Sequence, residues 1–250
     1  ELNGYRLFHW KSSEILPQDV IDAAKERLGL KQFKQEYEAS FETATGRIYE
    51  DYSEKNYTNE TIREHEQLHW MHDQNYTPLS SAIGVIRDEK LFLLDEIVLT
   101  SAIRRQSAQE FIERYKNHKN KHVFIYGDPS GRDGEKHGHS SDYKEIEDVL
   151  RLNGWRYTRR VKKAHPAIKD RQNAVRARIC NAKGERFLFV HPQKAEYCHK
   201  GLSTVQTKKG STFLEEETDF QHITTAIGYM VDYLWPIKQH VEKIPITFAR

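Results

Sequence analysis

His122-Val123-Phe124-Ile125-Tyr126-Gly127-Asp128-Pro129-Ser130-Gly131 is the stretch on which the reading of this chain turns. A short apolar run bounded by turn residues reads as a buried strand, and Gly127-Asp128-Pro129 closes it. An aspartate placed so stands at the end of a strand, next to a Gly-rich loop over 129–141. Upstream, Ser107–His118 has the amphipathic spacing of a helix, with Phe111, Ile112 and Tyr115 on one side. Further upstream, Leu79–Ile86 and Leu91–Leu99 are apolar runs split by Arg87-Asp88-Glu89-Lys90, which predicts a hairpin with a polar turn. Leu68–Asp73 is expected as a short strand before it.

Downstream, the spacing predicts helices over Tyr143–Asn153 and Arg171–Asn181, a strand over Phe187–Val190, and a small hairpin within Gly201–Ser211 with Lys208-Lys209-Gly210 near its turn. His222–Trp235 reads as the last helix, with Ile223, Ala226, Ile227, Met230 and Leu234 on one face. At the start, Pro17 suits a first helical turn, and Val20, Ile21, Ala24 and Leu28 mark a helix ending at Gly29. Lys31–Phe41 follows as a second helix, and the stretch from Gly46 to Thr58 as a connector. Hairpin strands followed by alternating helices and strands predict a mixed α/β sheet with helices on its faces.

Bulk properties narrow the classes. The 250 residues suffice for one large domain with an appendage; 37% are hydrophobic and 30% charged, as in globular chains with a well-charged surface. No run of 18 or more apolar residues occurs, which excludes a transmembrane helix. Two cysteines, Cys180 and Cys198, do not make a disulfide framework and read as buried thiols of a reducing compartment. Glu1 in place of a methionine is expected of a fragment or a processed chain. Net charge is only +2, but from Arg156 to Arg178 nine Lys/Arg face a single acid, Asp170. That segment reads as a surface for an anionic partner.

Acidic residues stand where hydrolytic metal chemistry needs them. Two or three carboxylates converging at strand ends and a helix start can hold hard divalent cations that grip a phosphodiester and activate water. Asp73 follows a short strand, Asp128 follows strand 122–126, and Asp219 opens the last helix with His222 one turn on. Each alone also reads as a turn residue or helix cap.

In order along the chain, these pieces resemble the large terminase subunits of tailed bacteriophages. Lys31-Gln32-Phe33-Lys34-Gln35-Glu36-Tyr37-Glu38-Ala39-Ser40-Phe41 resembles the segment closing their ATPase part. Asp73 with Asn75-Tyr76-Thr77-Pro78, then a hairpin carrying Leu94-Asp95-Glu96, resembles the first nuclease strands and first catalytic aspartate. Tyr126-Gly127-Asp128-Pro129-Ser130-Gly131 resembles the second catalytic aspartate and its loop. His165-Pro166-Ala167-Ile168-Lys169-Asp170-Arg171-Gln172-Asn173-Ala174-Val175 resembles an Asn-Pro…Asp-Arg…Val stretch, and His222-Ile223-Thr224-Thr225-Ala226-Ile227-Gly228-Tyr229 the closing His-x-x-Asp-Ala-x-x-Tyr helix.

The resemblance implies an RNase-H-like nuclease domain over 49–250, preceded over 1–48 by the tail of an ATPase domain. It implies a metal-dependent endonuclease that cuts concatemeric viral DNA during genome packaging, using two Mg²⁺ or Mn²⁺ ions. The catalytic metal ligands it implies are Asp73 and Asp128, with Asp219 or His222 completing the site; Glu96 is a candidate outer carboxylate or, from its strand position, a structural residue. Double-stranded DNA, a small terminase subunit and a portal ring are the implied partners, and the host cell cytoplasm the implied location. Two departures stand out. The third acidic position falls on Thr225, and Trp70-Met71-His72 lacks the glycine common before the first aspartate. No Gly-x-x-x-x-Gly-Lys-Ser/Thr loop occurs, so ATP hydrolysis is not expected of this chain.

Arg159, Arg160, Lys162, Lys163 and Arg171, with Lys208 and Lys209 from the hairpin, are candidates to track a DNA backbone, or else form a solvated charged face. Binding through phosphates would fall steeply with salt. Trp155 and Tyr157 read as packing residues. Two alternatives stay open. A catalytically weak RNase-H-like module would only bind DNA or a portal, as Thr225 suggests. His65-Glu66-Gln67-Leu68-His69 also matches the zinc-protease pattern His-Glu-x-x-His, although a strand at Leu68–Asp73 argues against it. His137 and His139 are solvated loop residues or metal ligands.

Overall fold

The computed structural model describes residues 10–40, 46–73, 78–100, 103–130, 142–211 and 213–237. Its strands are β1 (Leu68–His72), β2 (Leu79–Arg87), β3 (Lys90–Leu99), β4 (His122–Tyr126), β5 (Arg156–Arg159) and β6 (Leu188–Val190). They join in one mixed sheet of order β5-β4-β1-β2-β3-β6. β1 to β3 form an antiparallel meander, whereas β4 lies parallel to β1, β5 parallel to β4, and β6 parallel to β3. The chain therefore leaves β1 toward one side of the sheet and returns on the other. Neighbouring strands whose connections diverge in this way open a crevice at their carboxyl ends, where open α/β sheets hold ligands.

Seven α-helices are described: α1 (Gln18–Arg27), α2 (Leu30–Tyr37), α3 (Arg104–Arg114), α4 (Asp142–Leu152), α5 (Ile168–Ile179), α6 (Glu196–Thr204) and α7 (Gln221–Leu234). The pleat of β1 sends Leu68 and Trp70 into one apolar cluster and Met71 into the other. α3 and α4 cover the first face with Ala108, Phe111, Tyr143, Ile146 and Leu150. α5, α6 and α7 cover the second with Val175, Leu202, Ile223, Ile227 and Met230. Helices thus lie on both faces, as expected. Burying aromatic side chains such as Trp70, 0% exposed, stabilises the fold by about 1.5–3 kcal/mol each.

α1 and α2 share a small cluster of Ile21, Ala24, Leu28 and Phe33. They dock on the end of α5, where Ala182 N donates to Leu28 O at 2.9 Å and Asn181 Nδ2 to Glu26 O at 3.0 Å. Ile48 and Tyr49 are both buried in the α5–α7 side of the sheet core.

Several elements depart from the sequence expectations. α2 stops at Tyr37, and Ala39 takes a positive φ of 49°. α3 starts at Arg104 and stops at Arg114, with Tyr115 at its C-cap turning its hydroxyl onto Asp95 at 2.7 Å. β5 lies where the sequence reads as basic surface, because its Arg156, Tyr157 and Thr158 face solvent and leave no apolar alternation. The hairpin expected within Gly201–Ser211 is replaced in its first half by α6. Gly201 is not a turn residue there: a Cβ would stand 2.6 Å from Thr224 Cγ2, so its bareness lets α7 approach. The turn lies further on, where Ser211 N bonds Lys208 O and Thr207 pairs with Glu215.

Candidate active site at the ends of β1 and β4

Asp73 follows β1 directly, and Asp128 lies two residues beyond β4. Because β1 and β4 are parallel neighbours in register Met71↔Tyr126, both carboxylates emerge on the same rim. Asp73 is buried and Asp128 partly so, with side chains 7% and 14% exposed. Gly127 sets the approach between them. A Cβ there would meet Tyr143 Oη at 2.5 Å and His72 O at 2.7 Å. Gly127→Ala is therefore expected to cost about 1–3 kcal/mol by overpacking, measured as a lower unfolding midpoint; an unchanged midpoint would show that the strand end yields freely.

α7 closes the rim from one side. His222, Thr225 and Tyr229 share a stripe at spacings of three and four. His222 Nδ1 lies 3.1 Å from Asp73 Oδ2. Tyr229 lies close to the pair, and burial, with the charges of Asp128 and Asp73 adding to it, pushes its phenol up. The segment before α5 brings His165, whose Nε2 is 3.5 Å from Asp128 Oδ1 and whose Nδ1 is 3.3 Å from Tyr229 Oη. Thr225, at the place of the expected third acid, turns its hydroxyl to Glu215 Oε2 and accepts from Arg171 Nη2, both at 3.3 Å. Beside this constellation opens a cavity of about 660 Å³ lined by Arg171, Lys208, Leu214, Glu215, Asp219 and His222, among others.

Asp219 is exposed on the cavity wall, and α7 begins after it: Phe220 is the N-cap, with no side-chain cap bond. Glu96 stands apart, accepting from Tyr197 N at 2.8 Å and Cys198 N at 3.0 Å, so it caps the first turn of α6 while burial raises its carboxyl. Asn75, Tyr76, Thr77, His137 and His139 lie outside the described residues.

The donor set suits a divalent cation. Two adjacent carboxylates flanked by two imidazoles have the oxygen and nitrogen chemistry such an ion takes. Among the described residues no three His, Cys, Asp or Glu side chains already converge on one point. The four donors stand as two contacting pairs, Asp73 with His222 and Asp128 with His165.

The basic residues divide. Arg159 is held by Glu147 at 2.6 Å and Lys162 by Asp232 at 2.5 Å. Arg160 donates to Tyr126 Oη at 3.1 Å with its guanidinium over Phe124, and Arg171 is buried. Lys163, Lys208 and Lys209 are exposed. Of the candidates to track a DNA backbone, Arg159, Arg160, Lys162 and Arg171 thus also have partners within the chain. The zinc-protease reading is corrected. His69 lies inside β1 on Tyr126 Oη at 2.9 Å, with burial lowering its pKa to about 3, whereas Glu66 pairs with Arg87 and His65 with Glu64. No described helix presents the two histidines together.

His165, Tyr229 and Glu215 were missed as site residues. Tyr229 stands seven residues after His222, the spacing of one helix face, so that signal was available. His165 opens the His165–Val175 stretch quoted for the resemblance without being singled out there, and nothing local in the sequence marks Glu215.

No protein-family model and no curated protein sequence matches the chain. Among solved structures, the large terminase of a thermophilic bacteriophage matches with a TM-score of 0.63 at 13% identity, over 87% of this chain and 52% of that one. This chain thus spans about half the length of that protein. The P22 large terminase nuclease domain matches with a TM-score of 0.52 at 12% identity, over 76% of this chain and 94% of that domain. A nuclease domain from the thermophilic phage G20c, with bound magnesium, matches at a TM-score of 0.47 and 10% identity over 77% of this chain and 98% of that one. With its mixed six-stranded sheet and helices on both faces, the chain shares the α/β fold of the two large terminase structures that match it above a TM-score of 0.5, one of them a nuclease domain.

Proposed function

We propose that this chain is the nuclease part of a large terminase subunit, a divalent-cation-dependent endonuclease that cuts concatemeric DNA during viral genome packaging. The observation that supports it most is the placement of Asp73 and Asp128 at the carboxyl ends of neighbouring parallel strands, at the crevice where this fold leaves room for a ligand. Mg²⁺ or Mn²⁺, as two ions, would be held by Asp73 and Asp128 with His222, and Asp219 on the cavity wall would complete the set. When bound, the ions would lower the pKa of the attacking water and offset charge on the leaving 3′ oxygen.

The chain's own residues do the positioning. His222 orients Asp73, Ser130 and His165 orient Asp128, and the buried Arg171 gives the cavity a cationic wall beside His222. Lys163, Lys208 and Lys209 are the exposed cations of that group left to meet duplex phosphates. The match to a protein about twice as long supports the further proposal that residues 1–48 belong to the end of an ATPase domain and 49–250 to the nuclease. A small terminase subunit and a portal ring would be its partners in the host cytoplasm. No described helix is long and apolar enough to cross a membrane.

Incubation of the chain with plasmid DNA tests the reading. Cleavage is expected with Mg²⁺ or Mn²⁺ and none with EDTA. DNA binding without cleavage under any ion would favour the second reading, a binding module, which the absence of a carboxylate at Thr225 supports.

A further inference from the structure

The pleat of β5 splits its basic residues between the two sides of the sheet. Arg159 turns toward α4, where it pairs with Glu147 at 2.6 Å and lies over the Tyr143 ring. Arg156, Thr158 and Arg160 turn to the other side, beside His122, Phe124 and Tyr126 of β4. Two contacts fix that side: His122 Nε2 is 2.9 Å from Thr158 Oγ1, and the Arg160 guanidinium carbon stands 3.5 Å from the centroid of the Phe124 ring. None of these side chains is acidic. We infer that this face of β4 and β5 seats the backbone of the duplex DNA that flanks the acid pair, with Arg160 and Arg156 each meeting a phosphate. The placement rests on the proposed nuclease reading.

Arg160 is held ready for an anion. Phe124 supports the flat of its guanidinium, and Tyr126 Oη accepts from its Nη1 at 3.1 Å. A guanidinium carries its N–H donors in a rigid planar fork, so one bond to Tyr126 leaves others for a phosphate, with less freedom to lose on binding. Arg156 is exposed, and no described side chain pairs with it. Burial, and after it the charges of Arg156 and Arg160, hold the His122 ring below its usual range. The imidazole is therefore neutral at pH 7, and the two arginines carry the charge of the face. Four residues of strand set them about 13 Å apart, close to the axial rise of roughly four base pairs at about 3.4 Å each. Arg160 N donates to Ile125 O at 2.7 Å, which puts Arg160 at the rim end of the row, on the side of Asp128. β5 is the edge strand of the sheet, so no further strand stands between this row and an approaching duplex.

The test is binding of a fluorescently labelled duplex to the whole chain, followed by anisotropy in EDTA over a series of salt concentrations. Wild type, Arg156→Gln, Arg160→Gln and Arg151→Gln are compared, with thermal unfolding confirming that each is folded. Arg151 is the control, an exposed cation on α4 paired with Asp148. Arg156→Gln and Arg160→Gln are each expected to weaken binding roughly 10-fold at low salt. Each should also lower the slope of log affinity against log salt by about 1, alike for duplexes of different sequence. Arg151→Gln is expected to match wild type. Because Arg160 also packs on Phe124, Arg156→Gln decides if the Arg160 variant is less stable. Wild-type affinity and slope in Arg156→Gln, or an equal loss in Arg151→Gln, would overturn this seat while DNA binding by the chain stands. No DNA binding by wild type would remove the nuclease reading and the seat together.

Discussion

Asp128→Asn is expected to abolish DNA cleavage while leaving the protein folded, and this pair of results is the sharpest consequence of the site's geometry. Asp128 has two roles that the substitution separates. Its Oδ1 accepts from Ser130 N at 2.7 Å and Ser130 Oγ at 2.8 Å, holding the turn after β4. An amide oxygen accepts the same bonds, so the turn survives. The negative charge does not survive, and with it goes the attraction for a divalent cation. Lewis-acid stabilisation of this kind is worth several kcal/mol, so the rate should fall on the order of 10³-fold or more. Removing one of two neighbouring carboxylates also relieves repulsion in the metal-free state, so the unfolding midpoint should hold or rise slightly. Plasmid cleavage rates and thermal unfolding measured on the same preparation check both parts. Cleavage at the wild-type rate would move the chemistry away from the ends of β1 and β4 altogether.

That prediction draws on what was legible in the sequence and on what was not. The strand before Asp128 was legible because five residues of buried strand between turn residues have few other conformations. The meander was legible because Arg87-Asp88-Glu89-Lys90 interrupts two apolar runs; the structure narrows its turn to Asp88 and Glu89, both with positive φ. The neighbourhood of β1 and β4 was not readable from periodicity, since pairing across about 50 residues is a tertiary outcome. Only with it do Asp73 and Asp128 become partners rather than two separate turn residues. Ordered motif resemblance supplied what local pattern lacked there. Glu96 shows the opposite failure. An acid on a strand reads in the sequence as an outer carboxylate or a structural residue alike, and here the backbone N–H groups opening α6 take both its oxygens. α6 was lost for a related reason: Gly201 reads as a turn unless the packing of α7 against it is known.

Arg171 carries the second large expected effect, and it falls on stability rather than on DNA affinity. A basic segment in a sequence gives no sign of which cations point inward, so by sequence Arg171 groups with the DNA-facing residues. In the fold its side chain is 8% exposed, and Nη2 lies 3.8 Å from Glu215 Oε1 on a side chain only 3% exposed. The guanidinium also bonds Thr225 and lies 4.9 Å from the Tyr229 ring centroid, while Gln172 Nε2 donates to Glu215 Oε1 at 2.9 Å. Arg171→Met keeps much of the packing of the stem but strands the Glu215 carboxylate in a low-dielectric pocket without its cation. Breaking one side of such a buried pair costs about 3–5 kcal/mol, which lowers the unfolding midpoint of a chain this size by roughly 10 °C. Neutralising both partners removes the stranded charge, so Arg171→Met combined with Glu215→Gln should recover most of the loss: the glutamine oxygen still accepts from Gln172, and its amide N–H donates to the Thr225 hydroxyl that Arg171 has released. A midpoint unchanged in the single variant, with DNA affinity reduced, would return Arg171 to the DNA surface. A large loss rescued by the second substitution would place the ion pair among the supports that hold α5 and α7 together, and with them the His222 and Tyr229 stripe over the acid pair.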